Sequence, residues 1–114
     1  MIEIKNIVKK YNEGKKIEVV ALDGVSFTVG NGEMVAITGT SGAGKSTLLH
    51  IIVGVLPLDS GTCVIDGKAV EKMSDSALAK LRNKKVGTVF QNFFLLSDAS
   101  VSGNVEIPLI LSGI

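Results

Sequence analysis

Gly39, Thr40, Ser41, Gly42, Ala43, Gly44, Lys45, Ser46 and Thr47 follow one another, and no other stretch constrains the chain's folding as tightly. The run satisfies G-x-x-x-x-G-K-S/T, a turn whose crowded backbone N–H groups and single lysine suit phosphate. Such a turn works between a strand and a helix, because a helix N-terminus supplies unpaired N–H groups and the positive end of a dipole. Both neighbours are legible. Residues 34–38 form a short apolar run after Gly30, Asn31 and Gly32, which predicts a strand covered on both faces. Residues 45–55 carry Leu48, Leu49, Ile51, Ile52, Val53 and Val55. That pattern is apolar almost all round and predicts a buried helix stopping near Gly54 and Pro57.

Each position in the turn has a chemical reason. Gly39, Gly42 and Gly44 allow backbone conformations that a side chain would block and a close approach to an anion. Lys45 is placed to bridge outer phosphates, and the Ser46 hydroxyl to ligate Mg2+, which shields their charge. A plain glycine-rich turn with a surface lysine is the competing reading. Agreement of strand, turn and helix sets it aside.

A chain of 114 residues makes one domain or a piece of one. Its 12 basic and 11 acidic residues nearly cancel, so no broad field for nucleic acid or anionic lipid is expected. Cys63 has no partner for an internal disulfide and sits in an apolar run, which fits a core thiol and a reducing compartment. The N-terminus alternates charge with isoleucine and is no signal peptide. The longest apolar region, residues 48–58, contains His50, Gly54 and Pro57 and is too short to span a bilayer.

Along the chain, Ile2 and Ile4 alternate with Glu3 and Lys5, predicting a half-buried strand that leads to Tyr11. A loop over 12–16 precedes a strand at 17–22, a hairpin turn at Asp23 and Gly24, and a second strand with Val25, Phe27 and Val29 inward. An antiparallel sheet is thus expected ahead of the phosphate turn. Beyond the helix come a turn at 58–61, a strand at 62–65 and a turn at Asp66 and Gly67. Ser74 or Asp75 is placed to cap a helix with Ala77, Leu78 and Leu81 on one side and basic residues near its end. Residues 86–90 predict a strand, and Gln91 lies where it stops, the end at which α/β sheets collect ligands; a solvated glutamine would look the same. Phe93, Phe94, Leu95 and Leu96 are either core, the simpler reading, or a contact surface. A further helix is expected from Ser100. The chain ends inside the apolar segment 105–114 with no closing cap, which suggests a fragment.

Tyr11, the turn at 39–47, the phrase Val89-Phe90-Gln91-Asn92-Phe93-Phe94-Leu95-Leu96 and the phrase Asn104-Val105-Glu106-Ile107-Pro108-Leu109 together resemble the ATP-binding subunits of ABC transporters. The stretches at 20–27 and 81–87 look most like the branch serving lipoprotein release, macrolide export, antimicrobial-peptide export and cell division. Thr40, Thr88 and Gly103 depart from that branch, where proline, a larger apolar residue and glutamate are usual. Gly103 is expected to weaken its helix by roughly 1 kcal/mol relative to Ala.

The resemblance implies an α/β fold: the P-loop NTPase core of an ABC domain with an N-terminal antiparallel β subdomain. The expected division is β subdomain at about 1–30, P-loop core at about 31–91, and the start of a helical subdomain at about 91–114. It implies ATP and Mg2+ as cofactors. Tyr11 falls where an aromatic stacks on adenine, though a sheet-edge tyrosine is the plain alternative. Thr47 joins Lys45 and Ser46 at the phosphates. Gln91 matches a glutamine that contacts Mg2+ and water and senses the membrane subunit, with residues 92–96 lying toward that partner. A second ATP-binding subunit, closing head to tail, and transmembrane permease subunits are the implied protein partners. The implied location is peripheral, on the cytoplasmic face of the membrane.

The family's signature motif, its Walker B aspartate with the catalytic glutamate, and its switch histidine would belong after Ile114. Residues 19–23 and 63–66 end apolar runs in aspartate, but Gly follows each, where the family has Glu. His50 is read as an ordinary residue of the helix. The chain is therefore expected to bind nucleotide without hydrolysing it efficiently, and to lack a neighbour for the strand at 34–38, with marginal stability. Two other functions fit parts of the sequence: a nucleotide-binding module without hydrolysis, and a P-loop kinase or GTPase. The second leaves Tyr11 and the Gln91 phrase unexplained.

Overall fold

The computed structural model describes residues 1–12, 14–92 and 94–113. They form two compact units, Met1–Met73 and Ser74–Ile114.

The first unit is built on a four-stranded antiparallel sheet of β1 (Ile2–Tyr11), β2 (Val19–Val29), β3 (Ser60–Ile65) and β4 (Lys68–Ala69), in the order β2-β1-β3-β4. β1 is central, so its alternation decides what is buried. Simple period-2 alternation from Ile4 would turn Asn6, Val8 and Lys10 inward. A β-bulge intervenes: Ile4 faces Phe27 and Ile7 faces Val25, so Lys5 and Asn6 oppose Ser26 alone. Asn6, with φ of 49°, takes the left-handed conformation that asparagine tolerates. Beyond it the inward set becomes Ile7 and Lys9, both buried.

The Asp23-Gly24 pair is not the expected hairpin turn. β2 runs unbroken through it, with Ile7 opposite Val25 and Val8 opposite Asp23, and Gly24 unpaired at φ 75°. A long β1 offers ladder partners on both sides of the pair, so the left-handed glycine is absorbed as a bulge. The strand begins at Val19, later than predicted, leaving Ile17 exposed. Asp66 and Gly67, with φ of 48° and 79°, do make a tight turn, between β3 and β4.

After the phosphate turn, α1 (Lys45–Ile52) ends earlier than predicted, and it buries Leu48 and Ile51 while Leu49 and Val55 stay exposed. It is an amphipathic helix, not one covered all round. Ile4, Ile7, Leu22, Cys63, Ile65 and Val70 complete the buried apolar set of this unit. Val70 belongs to a 3-10 turn, Val70–Lys72, whose Glu71 accepts the Cys63 N–H at 3.1 Å.

Burial, and secondarily the Glu71 carboxylate, push the Cys63 thiol up to about 11. A group that folding holds protonated contributes stability that is full below its ordinary value of 9.0 and declines as pH climbs toward 11. The chain should therefore lose more stability over that window than Cys63→Ala does. At pH 8 Cys63 should resist iodoacetamide until urea is added; rapid labelling of the native chain would contradict its burial.

The predicted strands at 34–38 and 86–90 carry no ladder among the described residues and are not strands. A strand covered on both faces requires hydrogen-bonded neighbours. Without them, Met34 and Val89 are each 99% exposed.

The second unit contains α2 (Asp75–Lys85) and α3 (Val101–Leu111). Ser74 caps α2, its hydroxyl accepting the Ala77 N–H at 3.2 Å, and Ser100 caps α3 through the Gly103 N–H at 3.0 Å. Gly103 thus sits where its N–H serves the cap. Asn104 fastens the preceding loop, its side chain accepting the Leu96 N–H and donating to the Leu96 and Ser100 carbonyls.

Candidate functional site: the phosphate turn and Tyr11

Gly44 ends the turn in the left-handed region, at φ 94°, and acts as the N-cap of α1 without any side-chain cap. The first three N–H groups of the helix, on Lys45, Ser46 and Thr47, have no intrahelical acceptor by the geometry of a helix start. No acidic residue occupies the first turn. Elsewhere a serine would quench these donors, as Ser74 and Ser100 do in this chain. Here an anion is their natural partner.

Lys45 is held over the turn. Its Nζ donates to the Gly39 carbonyl at 2.7 Å and the Thr40 carbonyl at 2.6 Å. An ammonium has three N–H bonds, so one remains for an outside acceptor. The turn is closed by the Ala43 N–H donating to the Thr40 carbonyl at 3.1 Å. Thr40, Ser41, Gly42, Ala43 and Ser46 are exposed, which leaves room for a ligand.

Gly44 has a second reason to be glycine, invisible in the sequence. A Cβ there would lie 2.5 Å from the Ala21 carbonyl oxygen and 3.2 Å from a Leu22 methyl. Ala21 is itself skipped in the β1–β2 register, where Lys9 faces Leu22 and Lys10 faces Val20. A bulge in β2 and a bare Cα thus meet where the turn enters α1.

Tyr11, at the end of β1, reaches the same helix: its hydroxyl lies 3.3 Å from Thr47 Oγ1. The structure so brings Tyr11, Thr47, Lys45, Gly39 and Thr40 into one neighbourhood. Gln91 belongs to the other unit, at an exposed bend after segment 86–90. Ser46 offers one hydroxyl oxygen to Mg2+, which ordinarily completes its octahedron with phosphate and water oxygens. This donor set fits a triphosphate with its metal.

Of the run at 93–96, the three described residues are not core. Phe94 is 73% exposed, and Leu95 and Leu96 are exposed with it; Phe93 lies outside the described residues. The Phe90 and Phe94 rings meet edge to face, 4.9 Å apart. Two residues of the neighbourhood had no signal in composition or spacing, Lys9 and Asp59. Lys9 Nζ lies 3.7 Å from Asp59 Oδ1 and 5.7 Å from the centre of the Tyr11 ring. The bulge at Asn6 brings Lys9 inward, and nothing in the local sequence announces that the bulge is there.

An uncapped helix start behind a glycine turn, with a lysine folded over it, defines a P-loop α/β domain. The likeness extends well beyond the turn. The chain belongs to the ABC transporter family, whose ABC transporter domain matches residues 22–110. It is 54% identical over 114 residues to the macrolide export ATP-binding/permease protein MacB of Chlorobaculum tepidum, covering 99% of this chain and 17% of that protein. Among solved structures it resembles the ATP-binding cassette MJ0796 as a dimer in a post-hydrolysis state with ADP and Pi. The TM-score is 0.89 at 39% identity, over 97% of this chain and 47% of that one. A second dimeric structure of MJ0796, described as a bacterial ABC transporter cassette, matches with TM-score 0.89 at 40% identity, over 97% and 47%. The fold is thus α/β, a P-loop core with an N-terminal antiparallel β subdomain, and the chain spans about half the length of the solved cassettes. No helix among the described residues is long and apolar enough to cross a membrane.

Proposed function

We propose that the chain binds Mg-ATP as the N-terminal part of an ABC transporter's ATP-binding subunit. The observation that carries this reading is the N-terminus of α1, uncapped and exposed, with the Lys45 ammonium fixed above it and one donor free. In it, the N–H groups of Gly42 and of 44–47, with the Lys45 ammonium, hold the phosphates, Ser46 takes Mg2+, Thr47 adds a hydroxyl and Tyr11 stacks on the base. Gln91 is assigned to Mg2+ and water. Bound Mg2+ neutralises phosphate charge; the residues bind and orient.

The exposed apolar side chains of Phe94, Leu95 and Leu96 support a membrane-subunit contact beside Gln91, with the subunit peripheral on the cytoplasmic face. A second ATP-binding subunit completes the enzyme head to tail; the MJ0796 cassettes are dimeric by their descriptions. The division into β subdomain (about 1–30), P-loop core (about 31–91) and start of a helical subdomain (about 91–114) belongs to the same reading.

No Asp-Glu pair closes an apolar strand in the 114 residues, which favours nucleotide binding without efficient turnover by this chain. Calorimetric titration should show Mg-ATP binding at least as tightly as Mg-GTP, with phosphate release far slower than from a full-length relative. A marked preference for GTP, or turnover at the relative's rate, would overturn the assignment.

A further inference from the structure

Among the described residues, Lys9 is the one charged residue that is buried, at 8% exposure. An apolar side chain would fill that place at less desolvation cost, and one carboxylate at 3.7 Å is weak compensation for a buried ammonium. The surroundings of Lys9 supply a better reason. Two residues further along the same strand, on the same face, stands Tyr11, and the ammonium lies 5.7 Å from its ring centre, within cation–π range. Asp59 cannot swing away: its Oδ2 accepts the Lys10 N–H at 2.6 Å, and its own N–H donates to the Val8 carbonyl at 2.9 Å. Asp59 is tied to β1 at two points, once by its carboxylate and once by its backbone N–H, and directs the Lys9 ammonium toward the ring.

The Tyr11 ring is therefore fixed twice, by a cation over one face and by the Thr47 hydroxyl at its tip. Tyr11 is 37% exposed, which leaves part of the ring for a flat ligand, whose place would be the face away from Lys9. We infer that Lys9 and Asp59 are positioning residues for the purine base of the nucleotide, holding Tyr11 as a one-sided platform at a set distance from the phosphate turn. This rests on reading 39–47 as the triphosphate site and adds a base-specific element to it. Neither residue touches the phosphates, so their contribution should be felt only by a ligand that carries a base.

The test compares Mg-ATP with Mg-tripolyphosphate, a base-free probe, by titration calorimetry on the full chain. Lys9→Met keeps the aliphatic stem and removes the cation; it should weaken ATP about three- to tenfold and leave tripolyphosphate unchanged. Asp59→Asn, which keeps an acceptor for the Lys10 N–H, should act in the same direction, and Lys9→Arg should retain ATP affinity. Should Lys9→Met fail to fold, Asp59→Asn and Lys9→Arg decide the matter. Equal weakening of both ligands in a folded variant, or unchanged ATP affinity in Asp59→Asn, overturns the inference. If the unaltered chain holds tripolyphosphate as tightly as ATP, the platform is refuted while the phosphate site stands. If it binds neither, both readings fall.

Discussion

Lys45→Ala is expected to lower affinity for Mg-ATP roughly a hundredfold, the ~3 kcal/mol of a charge-assisted contact to phosphate. Thermal stability should hardly change. The side chain's recorded partners are the carbonyls of Gly39 and Thr40, on exposed backbone that water can satisfy once the ammonium is gone. Affinity and stability thus separate, which distinguishes a ligand contact from a structural one. Tripolyphosphate should lose as much as ATP, since the lysine faces phosphates and not the base. Unchanged binding in a folded variant would refute the phosphate role.

The second large effect is structural. Gly44→Ala should destabilise the first unit by roughly 3 kcal/mol, combining left-handed strain with overpacking against backbone. Its φ is 94°, and the new methyl would meet the Ala21 carbonyl oxygen at 2.5 Å, a partner that cannot swing aside as a side-chain tip can. Gly42→Ala is the matched control. It has φ of 82° but nothing within 4 Å of the added carbon, so only the conformational cost of about 1–2 kcal/mol remains. Urea midpoints of the two variants should differ accordingly. Equal losses would mean that the approach of the turn to β2 is looser than it looks here. Gly44→Ala should also bind nucleotide poorly, because moving the turn off β2 moves the start of α1.

Local chemistry made much of this legible in advance. The turn at 39–47, a helix capped by Ser74 or Asp75, a helix starting from Ser100 and the tight turn at Asp66 and Gly67 each depend on a few adjacent residues, and each is present in the structure, with Ser74 as the cap of the first helix. Misreadings arose where a distant partner decides. Asp23-Gly24 reads as a hairpin turn only if the strands on either side pair with each other; both pair with β1 instead. Runs 34–38 and 86–90 have strand composition, but a strand is defined by its ladder, and composition carries no information about whether a neighbour is at hand. For the four apolar residues from Phe93, hydrophobicity alone makes core a simpler reading than a contact surface, and the three that are described face solvent. Lys9 and Asp59 were invisible for a related reason. Fifty residues separate them, and only the sheet, with β3 returning beside β1, brings them together.

The irregularity at Asn6 makes the number of residues in β1 matter by parity. Ile4 lies before it, Lys9 and Tyr11 after it. Removing Val8, beyond the bulge, would shift the alternation by one and turn Lys10 inward, rotating Lys9 and the tyrosine to the other side of the sheet, away from Thr47. A deletion of one residue, far from any phosphate, would in that way leave the phosphate grip assembled and strip the nucleotide's base of its support.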